Sequence, residues 1–283
     1  MKLSILRNGL FVFVATGLAF CNNNSAKTTA TTTTDSTTMK TSSIKTENVS
    51  YSADSVTMNS FVAYNDSSET KRPVVLVVPE WWGLTDYAKG RAKQLAELGY
   101  LAIALDFYGN GTVADNPKTA GEMAMPFYKD ASKAKARFDA ALAKIKTFKQ
   151  ADTNNIAAIG YCFGGAQVLN MARLGENLKG VVSFHGNLAG VPVNKELLKA
   201  KILVCHGADD QFVKKEEVDA FRKSMDSIHA DYKFIAYPGA THAFTNPAST
   251  ETGKKYKMPI AYNAAADSSS WNEMKIFFGT IFK

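Results

Sequence analysis

The chain has 283 residues, 46% of them hydrophobic and 21% charged, with a formal net charge of +7. Those values fit an ordinary globular protein with room for one large domain. Its 33 Lys and Arg residues form no run and no stripe interleaved with aromatics, which excludes a nucleic-acid footprint and leaves the charge as a solvated surface. The three Cys and four His residues show no zinc-site spacing, so neither a metal nor any other cofactor is expected.

Residues 1–20, "MKLSILRNGLFVFVATGLAF", place Lys2 and Arg7 before an apolar run. A positive segment followed by a short apolar one is a secretory signal, too short to span a bilayer comfortably. Its removal takes away two basic residues and leaves a balance of +5. The run ends "LAFC", which resembles a bacterial lipobox with Cys21 as the lipidated residue, although Phe20 is larger than the residue usual there. The expectation is an exported protein held to a membrane by a lipid on Cys21, with an ordinary signal or an uncleaved anchor as alternatives. Residues 21–43 are Thr-rich with almost no apolar side chains. They predict a disordered tether, because they cannot offset their ordering entropy.

The globular domain is expected over residues 44–283. "IKTENVSYSA" and "SVTMNSFVAYN" predict a hairpin turning at "DS", and "RPVVLVVPE" a strand buried on both faces. "YAKGRAKQLAELGY" has helical spacing and ends at Gly99, and "YLAIALDFYG" is the next buried strand. Residues 118–149 predict helix, broken or bent near Pro126. "NNIAAIGYC" is a strand running into the helix "FGGAQVLNMARLG". Two further strands, "LKGVVSFHG" and "AKILVCHG", each end in His-Gly. The helix "KKEEVDAFRKSMDSIH" and the strand "YKFIAYPG" follow. A last helix, "SWNEMKIFFGTIF", is expected to be capped by Ser270 and Glu273. Alternating strands and helices predict an α/β fold, a mostly parallel central sheet with helices on both faces. Chemistry in such sheets collects beyond the carboxyl ends of the strands.

At one such end stands "GYCFGG", residues 160–165. Cys162 is either a small buried hydrophobe in a Gly-rich turn or the nucleophile of a strand–elbow–helix turn of the G-x-S-x-G type, with cysteine in the serine position. Such an elbow needs an acid and then a histidine later in the chain. "GADDQFV" offers Asp209 and Asp210, and "YPGATHAF" offers His242. Asp210, three residues after Gly207, is preferred, with Asp209 as the alternative. His185 and His206 precede glycines at strand ends and suit local hydrogen bonding, and His229 suits a surface near a helix end. Cys162 and Cys205 each belong to their own motif and are expected as free thiols.

Together "PEWWGLTDYAKGRAKQLAELGY", "ALDFYGNG", "IAAIGYCFGG", "VVSFHG", "GADDQFV" and "YPGATHAF" resemble, in order and spacing, the dienelactone hydrolases (carboxymethylenebutenolidases) of the α/β-hydrolase fold. The resemblance covers about residues 50–283. It implies a Cys162–His242–Asp210 triad acting on a small-molecule ester or lactone without a cofactor. It implies an oxyanion hole built from the N–H groups of Trp81 and Phe163. Glu80 is implied beside the thiol, restraining it at rest and accepting its proton when substrate binds. Archetypal members hold a substrate carboxylate with two arginines, where this sequence has Asn110 and Asn246; neither offers a charged fork. Trp82, Tyr108 and Phe244, with these two asparagines, are the expected substrate contacts. Thioester or acyl-transfer chemistry on the same triad, and a non-catalytic surface binding protein, remain alternatives.

Overall fold

The structure, a computed structural model, describes residues 43–283. The expected signal, Cys21 and the tether lie outside the described residues. The domain opens with β1 (Ile44–Ala53) and β2 (Val56–Asn65), antiparallel and paired up to Ala53–Val56. Only Asp54 and Ser55 lie between them, both at positive φ, the two-residue turn whose twist suits a hairpin. Then follow β3 (Arg72–Val78), α1 (Asp86–Glu97), β4 (Leu101–Ala104), α2 (Pro117–Lys129), α3 (Ala131–Ile145), β5 (Ala151–Tyr161) and α4 (Phe163–Arg173). The chain continues through β6 (Gly180–Phe184), β7 (Lys201–Gly207), α5 (Lys215–Ser227), β8 (Tyr232–Tyr237), α6 (Ser249–Tyr256) and α7 (Ala264–Ile281).

The strands form one sheet in the order β1-β2-β4-β3-β5-β6-β7-β8. Pairing is parallel from β4 to β8 and antiparallel where β2 meets β1 and β4. β3 shows why its run is continuously apolar. Val74, Leu76 and Val78 enter the core shared with α2, α3, α4 and α5, while Val75 and Val77 enter the core under α1 and α7. Successive side chains alternate between faces, and both faces are covered.

Two expectations are corrected. The 118–149 helix breaks at Asp130, not at Pro126. The Asp130 side chain accepts the Ser132 N–H and caps α3, while Pro126 sits within α2 and accepts the Asp130 N–H on its carbonyl. The last helix begins at Ala264, capped by the Asn263 side chain on Ala266 N–H. Ser270 is therefore inside the helix, its hydroxyl donating to the Asp267 carbonyl, and forms no capping box. The sequence reading also omitted α6, whose "STETGKKY" has no apolar spacing.

The turn after β5 is set by close backbone contact. Cys162 lies at φ 53°, ψ −116° between the strand and α4, a conformation costly for a residue with a Cβ. It persists because the surroundings leave no alternative. A Cβ on Gly160 would run into the Gly164 carbonyl, and one on Gly164 into the carbonyls of Val78 and Pro79. The two glycines let α4 start directly against the ends of β3 and β5, which projects the Cys162 side chain above the sheet.

Candidate active site

Four strand ends contribute. Glu80 and Trp81 follow β3, Cys162 follows β5, Asp210 follows β7 and His242 follows β8. His242 Nδ1–H donates to Asp210 Oδ2 at 2.8 Å, and the ring shares the cleft with Cys162 and interacts with it electrostatically, which leaves Nε2 to serve the thiol. Asp210 Oδ1 accepts the N–H groups of Phe212 (2.8 Å) and Val213 (3.2 Å), which fixes the carboxylate. Asp209 is exposed, with only its backbone N–H turned inward, to the Ala240 carbonyl. The geometry thus brings Asp210, not Asp209, to the imidazole.

Burial alone would lower the pKa of His242, but the charges and hydrogen bonds of Cys162 and Asp210 raise it to about 10. Burial alone would raise that of Asp210, and its bond to His242 with the two loop N–H donors instead holds it below the ordinary value. Both directions reflect the pairing of the imidazole with the Asp210 carboxylate, which favours the charged form of each.

Glu80 is buried and its pKa is pushed up to about 7, chiefly by desolvation, against a hydrogen bond and positive charges that favour the carboxylate. Asn246 Nδ2–H donates to Glu80 Oε2 at 2.7 Å. The amide expected to contact substrate is therefore engaged with Glu80.

A buried network ties the loops together. Cys162 N–H, which also meets the Phe184 carbonyl, donates to His185 Nδ1 at 3.1 Å. His185 is accordingly neutral with its proton on Nε2, which donates to Thr245 Oγ1 at 2.7 Å. Desolvation, then the charge of His242, holds its pKa well below the usual histidine value. Thr245 Oγ1 also meets the Tyr87 hydroxyl at 2.6 Å, and its carbonyl accepts from Arg91, itself paired with Asp267. The elbow, the His242 loop and α1 thus share one set of hydrogen bonds. His185 makes the local hydrogen bonds its place before a strand-end glycine suggested, whereas Tyr87, Arg91 and Thr245 carried no sequence signal.

The cleft above Cys162 encloses about 500 Å³. Trp81, Trp82, Met125, Tyr128, Phe212 and Ile260 supply apolar wall. Trp82 stacks on Tyr256 of α6, and Tyr128 donates to Asn187 Oδ1. Of the expected substrate contacts, only Trp82 lines the cleft. Asn110 is exposed, its N–H bound to the Thr57 carbonyl. Tyr108 donates its hydroxyl to the Trp81 carbonyl and its ring lies by Phe163. Phe244 is buried against His185. The Phe163 ring is likewise core, but its N–H opens α4 and has no partner within the helix.

The family model described as "Dienelactone hydrolase family" matches residues 58–282. The chain belongs to the dienelactone hydrolase family. The crystal structure of a dienelactone hydrolase-like promiscuous phosphotriesterase, P91, from metagenomic libraries is 32% identical, with a TM-score of 0.78 over 84% of this chain and 98% of that one. A protein of Aquifex aeolicus with a provisional carboxymethylenebutenolidase name is 29% identical over 75% of this chain and 89% of its own. Esterase 2 of Thermogutta terrifontis shares the fold at 15% identity, with a TM-score of 0.60 over 83% of this chain and 94% of that one. As a dienelactone hydrolase family member this chain is a hydrolase of carboxylic esters or lactones, on an α/β-hydrolase fold. Cys162 and Cys205 are free thiols. Among the described residues no cluster of His, Cys, Asp or Glu suits a metal, and no helix is long and apolar enough to cross a membrane.

The raised Glu80 pKa makes a prediction about stability. Between about pH 4.5 and about 7 the folded protein keeps a proton that the unfolded chain releases, so this group's contribution falls as pH rises through that window. The loss above it is on the order of 3 kcal/mol. Glu80→Gln, which keeps an acceptor for Asn246, should match the wild-type Tm near pH 5 and exceed it by roughly 5–10 °C at pH 8. A Tm difference that does not change with pH would show that Glu80 keeps an ordinary carboxyl pKa.

Proposed function

We propose that this hydrolase works through Cys162 as a covalent nucleophile, with His242 and Asp210 as its proton-transfer pair. One observation carries the reading: the His242 ring stands between the Cys162 sulfur and the Asp210 carboxylate, at an elbow that opens into an apolar cleft. The sulfur attacks the carbonyl carbon and its negative charge passes to the carbonyl oxygen, which the Trp81 and Phe163 N–H groups receive. Collapse of that intermediate breaks the ester C–O bond, and His242 gives its proton to the departing alkoxide. His242, neutral again, takes a proton from water, which attacks the thioester. The acid leaves, and the sulfur returns as thiolate beside the imidazolium. Glu80, raised toward neutrality in the same cleft, is the reservoir for the thiol proton before the first attack.

Residues 1–20 direct export in this reading, and Cys21 carries the lipid that holds the domain to a membrane. An intact mass of the mature protein should show acyl chains on an N-terminal Cys21; an unmodified Cys21 would refute the anchor.

Turnover of p-nitrophenyl esters by protein lacking residues 1–43 tests the chemistry. Cys162→Ala should remain folded and lose about 10³-fold or more in kcat, since the members of such a triad act as a unit. Asp210→Asn should lose far more than Asp209→Asn. Undiminished turnover by Cys162→Ala would end this mechanism.

A further inference from the structure

We infer that the cleft selects uncharged esters with an apolar acyl group and rejects acyl groups that carry a carboxylate; this rests on the hydrolytic reading above. The charges on the walls point that way. Among the residues lining the cleft there is no Lys or Arg, while two carboxyl side chains, Glu80 and Glu217, face it. The remaining cation on the wall is His242, and its charge is shared between Cys162 and Asp210.

The cations behind the walls, Arg173 and Arg91, are buried and line no part of the cleft; Arg91 is fully paired, while Arg173 keeps Nε and Nη1 without a hydrogen-bond partner beneath Gly190. Arg173 is buried under Gly190, donates to the Leu188 carbonyl and couples to Glu217. Arg91 sits behind Glu80, bound to Asp267 and the Thr245 carbonyl. The carboxyl groups, by contrast, cannot turn away. Glu217 Oε1 accepts the N–H groups of Leu188 (2.5 Å) and Ala189 (2.9 Å), which fixes it along the rim. Glu80 is held by Asn246 and, as the proton reservoir of the reading above, offers a substrate carboxylate no positive partner, so Glu217 is the standing negative charge on the wall.

A substrate carboxylate entering this cleft would shed water with no unpaired cation on the wall to receive it and with the fixed Glu217 carboxylate nearby. An aryl or alkyl acyl group meets the opposite situation. Trp81, Trp82, Met125, Tyr128 and Phe212 offer apolar surface on several sides of the thiol, and burying such a group removes apolar area from water at no electrostatic cost.

Three p-nitrophenyl benzoates that differ only in the para substituent of the acyl ring test this: methoxycarbonyl, carboxylate and trimethylammonio. At pH 8 the methoxycarbonyl ester should exceed the carboxylate in kcat/KM by about 100-fold, the scale of one uncompensated like charge at close range. The trimethylammonio ester should not suffer that loss. Glu217→Gln, whose amide oxygen still accepts the loop N–H groups, should raise kcat/KM of the carboxylate ester about 10-fold relative to that of the methoxycarbonyl ester. Turnover of the carboxylate within about threefold of the neutral ester would overturn the inference. Calorimetric binding of the three esters to Cys162→Ala should give the same order, so charge selection is read even if turnover fails. Equal affinities there would also overturn it. Loss of Cys162-dependent turnover with the binding order intact would refute the hydrolytic reading alone.

Discussion

A cysteine with a positive φ at the junction of β5 and α4 governs the geometry of everything around it. The conformation costs free energy in isolation, and the folded chain imposes it by bringing α4 against the carbonyls at the end of β3. Gly160 and Gly164 are needed because nothing larger fits between those backbones. The arrangement places the Cys162 side chain over the sheet and its neighbour's N–H at the start of a helix, where the dipole favours negative charge. The β3 end that blocks a side chain on Gly164 also leads directly into Glu80 and Trp81. Cys162, Glu80 and Trp81 are thus positioned by one packing contact.

Electrostatics around that contact are arranged as a chain of buried groups. Asp210 is held by loop N–H donors and in turn holds His242. His185, kept neutral by burial, accepts the Cys162 N–H on Nδ1 and donates its Nε2–H to Thr245. Thr245 lies in the same loop as His242 and Asn246, so one short segment touches the elbow, the acid Glu80 and α1. A protonated His185 could not accept the Cys162 N–H. Its low basicity is therefore part of how the elbow is held.

The sequence revealed those parts of the fold whose signal is local. β3, β4 and β5 read as buried strands because both their faces are covered, and the elbow read as an elbow because glycines flank a polarisable nucleophile at a strand end. Asp210 was separable from Asp209 by its count from Gly207, and the structure places its carboxylate on His242. What escaped depends on three-dimensional neighbours. α6 has no apolar periodicity, because it packs through Gly253 against the Ile260 carbonyl and through Tyr256 against Trp82. Pro126 looked like a break because proline usually is one, but the stronger competitor was the Asp130 cap. Tyr108 and Phe244 looked like pocket aromatics, but Phe244 is core and Tyr108 packs half-buried against core residues with its hydroxyl on the Trp81 carbonyl. The walls of the cleft come from α2, the loop after β6 and the segment beyond α6, and no spacing along the chain marks such a convergence.

The central claim is that a covalent bond forms at the Cys162 sulfur. A p-nitrophenyl ester of a hindered acid such as trimethylacetic acid releases p-nitrophenolate quickly and deacylates slowly. Rapid acid quenching followed by intact mass and peptide mapping would then capture the enzyme in mid-reaction. The account predicts one trimethylacetyl group per chain, on the peptide that contains Cys162. Steady p-nitrophenolate release with no acyl group on Cys162, or with the acyl group on another side chain, would contradict it.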